Sequence, residues 1–124
     1  MRGRPAEAAA AVREQLAIAR ALHGNRHSTV ANGLNMLAIA LEHAGDLGGA
    51  ERAFRDALDI EAQRIGPDQP QTLVIRSNLI DVLDLRGDVA GALAQRLDLV
   101  AREHAALGGA LDEAIAMDTQ SLGY

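Results

Sequence analysis

Apolar residues recur at spacings of three and four along most of the chain, the signature of amphipathic helices. Val30, Leu34, Leu37, Ala38, Leu41 and Ala44 form one stripe, and Leu47, Ala50, Phe54, Ala57 and Leu58 form the next. Ser28 or Thr29 is expected to cap the first of these helices, and Gly45 to end it in a left-handed turn. Asp46 then caps the second, which runs to Gly66-Pro67. Pro70 opens a third stretch in the first helical turn, where its missing amide costs little, and this helix runs to about Arg86. Gly87-Asp88 separates it from a fourth helix ending near Leu107. Ahead of all these, residues 5–22 form a helix with apolar positions at Ala8, Ala9, Val12, Leu16 and Ile18. After them, Leu111, Ala114, Ile115 and Leu122 are placed for a short terminal helix over residues 110–122.

These elements repeat. Gly24, Gly66 and Gly108 lie 42 residues apart, as do the Gly-Asp pairs 45–46 and 87–88. The same shift matches Leu37 with Leu79, Leu41 with Leu83, Gly49 with Gly91, Ala50 with Ala92, Asp56 with Asp98 and Glu61 with Glu103. A shift in the opposite direction lays residues 5–22 on the second helix of a unit. The organisation predicted is one domain over residues 1–124: a half repeat (5–22), a first repeat (28–64), a second repeat (70–107) and a terminal helix (110–122). The fold class is all-α, a right-handed solenoid of about six helices in antiparallel pairs.

Composition narrows the function. Twenty-five alanines and 17 leucines favour helix over sheet. Cysteine is absent, so neither a disulfide framework nor a Cys-based metal site is possible within the chain. A net charge of −5 argues against nucleic acid and anionic membrane as partners. No apolar run approaches the roughly 20 residues that span a bilayer, and the N-terminus does not resemble a signal peptide, so a cytoplasmic location is expected. All 12 basic residues are arginine, which with the Ala-Gly richness suggests a GC-rich, bacterial source genome.

The stretch Gly24 to Ala38, then Gly45-Asp46 to Ile60, then Gly66-Pro67-Asp68-Gln69-Pro70, resembles tetratricopeptide repeats, most closely the 42-residue kinesin-light-chain type also found in bacterial regulators. The resemblance covers about residues 3–108. The family's consensus positions fall on Leu34, Leu37, Ala38, Leu41, Ala50, Phe54 and Ala57 in the first unit. In the second they fall on Arg76, Leu79, Ile80, Leu83, Ala92, Arg96 and Leu99, where Arg76 and Arg96 depart from the expected bulky apolar residues. The resemblance implies a protein-interaction module whose first helices line an open inner trough.

No nucleophile elbow, phosphate loop, dinucleotide fingerprint or His-Glu-x-x-His pair is present, so no enzyme activity, cofactor or metal is expected. His23 and His27 are four apart, but Gly24-Asn25 interrupts the helix that would align them. The candidate site is the trough: Asn32, Asn35, Met36, Ile39 and His43 on the first helix, with Ser77, Asn78 and Asp81 on the third. Met36 and Ile39 are apolar but off the packing stripe. The resemblance implies that amides such as Asn35 and Asn78 hold the backbone of an extended peptide, a task for which each offers a donor and an acceptor. With no Lys, and with Glu42, Asp81 and Asp84 in the trough, a neutral, apolar or basic peptide suits it better than an acidic one. A second reading is a homo-oligomerising scaffold cut from a larger multidomain regulator, with a homodimer formed through helix 5–22 or the terminal helix, because helix 5–22 has apolar positions on more than one face.

Overall fold

The computed structural model describes the backbone of residues 3–121 and the side chains of residues 4–108. Five helices and no strand occur among the described residues: α1 (Gly3–His23), α2 (Ser28–Ala44), α3 (Leu47–Arg64), α4 (Pro70–Leu85) and α5 (Val89–Ser121). Each helix packs mainly on its neighbours in sequence, which is the pattern of a one-dimensional stack. The architecture is a right-handed α-solenoid of antiparallel helix pairs. α2 and α4 lie side by side, joined where Asn78 Nδ2 donates to Asn35 Oδ1 at 3.3 Å.

Local sequence explains the turns. Gly45 adopts φ +89° and Gly87 φ +80°, conformations that favour glycine. Asp46 N–H then reaches back to Leu41 O at 2.8 Å, and Asp88 N–H to Leu83 O at 2.9 Å, satisfying carbonyls at the helix ends. The same aspartates cap the following helices by accepting from Gly49 N and Gly91 N, each at 2.9 Å. A Cβ at either of those glycines would push into the capping carboxylate, so Gly-Asp-x-x-Gly works as a unit. Between α3 and α4, the buried Thr72 Oγ1 donates to Gly66 O at 2.8 Å and ties the Gly-Pro turn to the next helix.

Two expectations are corrected. α2 is capped by His27, whose Nδ1 accepts from Thr29 N at 3.1 Å, not by Ser28 or Thr29. The His23 ring stacks on it at 4.4 Å. α5 does not stop near Leu107: it continues unbroken to Ser121, so residues 110–121 are the end of one long helix. Gly108-Gly109 lacks the proline that follows Gly66, the aspartates that follow Gly45 and Gly87 and the asparagine that follows Gly24, and alanines on both sides favour helix. The side chains expected to make the terminal helix amphipathic, Leu111 to Leu122, lie outside the described side chains.

One core runs the length of the stack. Leu16 of α1, Val30, Leu34, Leu37 and Leu41 of α2, Phe54 and Ile60 of α3, and Leu79, Ile80 and Leu83 of α4 are all buried in it. The second unit is held differently from the first. Arg76, at the repeat position of buried Leu34, is only 11% exposed and donates to Gln95 Oε1 at 2.5 Å while pairing with Asp98 at 3.0 Å. Its Nε is buried without a partner. Arg96, at the position of Phe54, lies at the surface and pairs with Asp84 at 2.6 Å. The departures from the apolar pattern are thus filled by ion pairs within the α4–α5 pair. Two further bridges tie α4 to α3 and α5 to the α3–α4 turn: Arg86 to Glu51 at 2.6 Å and Arg102 to Asp68 at 2.8 Å.

Candidate partner-binding groove

Six of the eight predicted site residues line separate hollows rather than one patch, and Asn78 and Asp81 line none of them. Met36, Ile39 and His43 face α1, where with Pro5, Ala8, Val12 and Ala40 they line an apolar trough of about 440 Å³, Arg4 at its rim. Asn32 and Met36 also border a smaller hollow over Gln15, Leu16 and Ala19. On the other side of α2, Asn32 and Asn35 share a hollow of about 220 Å³ with Gln71, Val74 and Ile75 of α4 and Glu61 of α3. Ser77 belongs to a hollow between α4 and α5, with Leu73, Val74 and Glu103. Asp81 is exposed and lines none of these hollows.

Helix periodicity makes this arrangement. α2 buries Leu34, Leu37, Ala38 and Leu41 against its neighbours, which turns Met36 and Ile39 outward, at 54% and 39% exposure. Asn35 and Asn78 are half-buried and hydrogen-bond each other, a use that their spacing in the chain does not announce. The pair still offers one amide oxygen and free N–H groups to a ligand. Glu61 is the buried carboxylate of the α2–α4 hollow. Arg64 grips it with two bonds, Nε to Oε1 at 2.9 Å and Nη2 to Oε2 at 3.0 Å, so its charge is matched. The guanidinium of Arg64 is in turn held more firmly protonated by that carboxylate.

Several lining residues were not on the predicted roster. Pro5, Ala8 and Val12 come from α1, whose two apolar faces were the available signal. Gln71, Val74 and Glu61 complete the α2–α4 hollow. Val74 is apolar and exposed on α4, and Glu61 stood out in the sequence only as the repeat match of Glu103.

Comparison of α1 with α3 explains the apolar trough. α3 packs against both α2 and α4, whereas α1 packs against α2 alone. Ala50, Ala53 and Ile60 are buried in α3, while the equivalent Ala8, Ala11 and Ile18 of α1 are exposed. For the isoleucines the contrast is 6% against 61%. The open side of α1 is therefore the face that a first helix covers in a complete pair.

The model of the tetratricopeptide repeat matches residues 1–61, which span α1, α2 and most of α3. Over that stretch the chain is similar to tetratricopeptide repeats, in agreement with the all-helical solenoid. Such repeats serve in general as protein–protein interaction modules. A search of curated proteins finds no match. No described helix is long and apolar enough to cross a membrane.

Proposed function

We propose that the chain is a non-catalytic docking module that takes a partner helix or peptide along the inner faces of α1, α2 and α4. The observation that carries this reading is the apolar trough in which exposed Met36 and Ile39 meet Pro5, Ala8 and Val12. An amphipathic helix laid there would make with α1 the contacts that α2 makes with α3, the helix-in-groove mode of recognition. The neighbouring amides, Asn32, Asn35 and Asn78, fix its register, and Ser77 and His43 mark the ends of the contact. Asp81 and Glu42 give the surface an acidic bias, so the partner is neutral, apolar or basic rather than acidic. The 42-residue stride supports the kinesin-light-chain-like type, and the arginine-only basic set with the Ala-Gly richness supports a bacterial source.

The test is an array of 15-residue helical peptides, about equal numbers being acidic, neutral-apolar and basic, probed with labelled protein. Basic and neutral-apolar peptides should be retained. Met36→Asp should abolish retention and Asn78→Ala should weaken it, both with unchanged far-UV circular dichroism. Arg52→Asp, on the exposed side of α3, should have little effect. Preference for acidic peptides, or retention indifferent to Met36→Asp, would overturn the reading.

A further inference from the structure

The outer face of α5 carries a second apolar surface, separate from the trough. Leu93, Leu97, Val100, His104 and Leu107 follow one another at spacings of four, three, four and three. All are exposed, the leucines and valine each by more than half. That spacing is the seam of a coiled coil, where each side chain enters a hole on a facing helix. The side of α5 turned to α4 is a different one, carrying buried Ala92 and half-buried Gln95, Leu99 and Arg102.

The internal repeat divides the seam: Val100, His104 and Leu107 take the positions of Leu58, Ala62 and Ile65, which are half-buried on α3 and its C-cap, whereas Leu93 and Leu97 stand where the other second helices have no large apolar side chain. At the positions of Leu93 and Leu97, α3 carries Glu51 and Arg55, which pair with each other at 2.9 Å. α1 carries Ala9 and Arg13 there. Only α5 places large apolar side chains at both. A further helix pair stacked in the usual way would leave Leu97 at the surface, as Arg55 is left.

We infer that the seam is a homodimer interface in which two copies of α5 pack antiparallel, Leu97 opposite Val100 and Leu93 opposite His104 of the second copy. Charge selects the direction. In this register Arg96, which already pairs with Asp84 of its own chain through Nη2, lies across from Glu103 of the second copy at the flank of the seam and can share its guanidinium between the two carboxylates. A parallel pair would set Arg96 beside Ala101 and Glu103 beside Gly108, with no charge complement. Val89, Leu93, Leu97, Val100 and Leu107 expose roughly 500 Å² per copy, at most about 1,000 Å² in a pair, the size of a weak specific interface.

Sedimentation equilibrium of the full chain from about 10 μM to about 1 mM should show a mass rising toward twice 13.1 kDa. The double variant Leu93→Glu/Leu97→Arg installs the residues that α3 already tolerates at these positions. It should keep its helix content and raise the dimer dissociation constant at least about 30-fold. Because the chain has no cysteine, Leu93→Cys and His104→Cys can each be introduced alone. Mixed and oxidised, they should give the 93–104 cross-link in preference to either self-link. A monomer across the whole range overturns the inference. So does a dimer that survives the double variant, a dominant 93–93 link, or dissociation by Ile18→Glu on α1 in place of the α5 variant.

Discussion

Removing the Phe54 ring is the sharpest test of how the stack is held. Phe54 is fully buried in α3, the helix with α2 on one side and α4 on the other. Phe54→Ala removes the largest side chain of the core, and at such a site the lost transfer energy plus the cavity amount to about 3–5 kcal/mol. A chain of 124 residues has roughly 6–18 kcal/mol of stability in all, so the change is a large fraction of the total. With a urea slope of about 1.5 kcal/mol/M, a loss of ~3.5 kcal/mol lowers the unfolding midpoint by about 2 M. The assay is urea denaturation followed by far-UV circular dichroism. Arg96→Ala, at the same repeat position, is the internal control: its pair with Asp84 is exposed, and its loss should cost less than about 1 kcal/mol. A midpoint shift below about 0.5 M for Phe54→Ala, or equal shifts for the two variants, would refute the claim that this repeat position carries core packing in the first unit and only a surface pair in the second.

Three further predictions follow from the same structure. Arg76→Leu, which installs the residue of the first unit, should leave stability unchanged or raise it by about 1 kcal/mol, since it removes an unpartnered buried Nε; Asp98→Ala should lower it by about 1–2 kcal/mol by leaving Arg76 short of an anion. Gly33→Val should destabilise, because a Cβ there would stand 2.7 Å from buried Leu16 Cδ2, and thermal unfolding would register it. Acid should weaken the stack in a defined window. The hydrogen bond from Arg55, reinforced by Arg86 against the opposing effect of burial, holds Glu51 below its ordinary 4.5, and Arg102, with Arg76, holds Asp98 below 3.8. A carboxylate depressed in the folded state stabilises above its unfolded value and loses that contribution as pH falls through its folded value. The urea midpoint should therefore fall as pH drops below about 4.5, and fall less in Glu51→Gln/Asp98→Asn.

The helix ends were readable because Gly-Asp and Gly-Pro impose turn chemistry that no tertiary contact has to supply. Capping of α2 was misassigned because an imidazole nitrogen does the work usually given to a hydroxyl, and its placement depends on His27 standing one residue earlier with extended backbone. Gly108 misled for the opposite reason: the repeat stride marked it as a turn, yet a glycine without a following cap or proline only lowers helix propensity. At the site, exposure of Met36 and Ile39 followed from periodicity. The walls of their trough did not, because Pro5, Ala8 and Val12 are brought there by packing between helices. The Asn35–Asn78 bond was hidden as well, since 43 residues separate the partners and the repeat stride itself pairs Asn35 with Ser77.

The central claim is that ligand enters on the α1–α2–α4 side of the stack. It is tested most directly by two-dimensional amide NMR of the labelled chain during titration with the best-retained array peptide. The account predicts shift changes concentrated at Val12, Asn32, Asn35, Met36, Ile39 and Val74, with the Nδ2 signals of Asn35 and Asn78 moving together. Changes concentrated on the outer residues of α3, Arg52, Arg55, Asp56 and Asp59, with the Met36 and Ile39 signals unmoved, would contradict it.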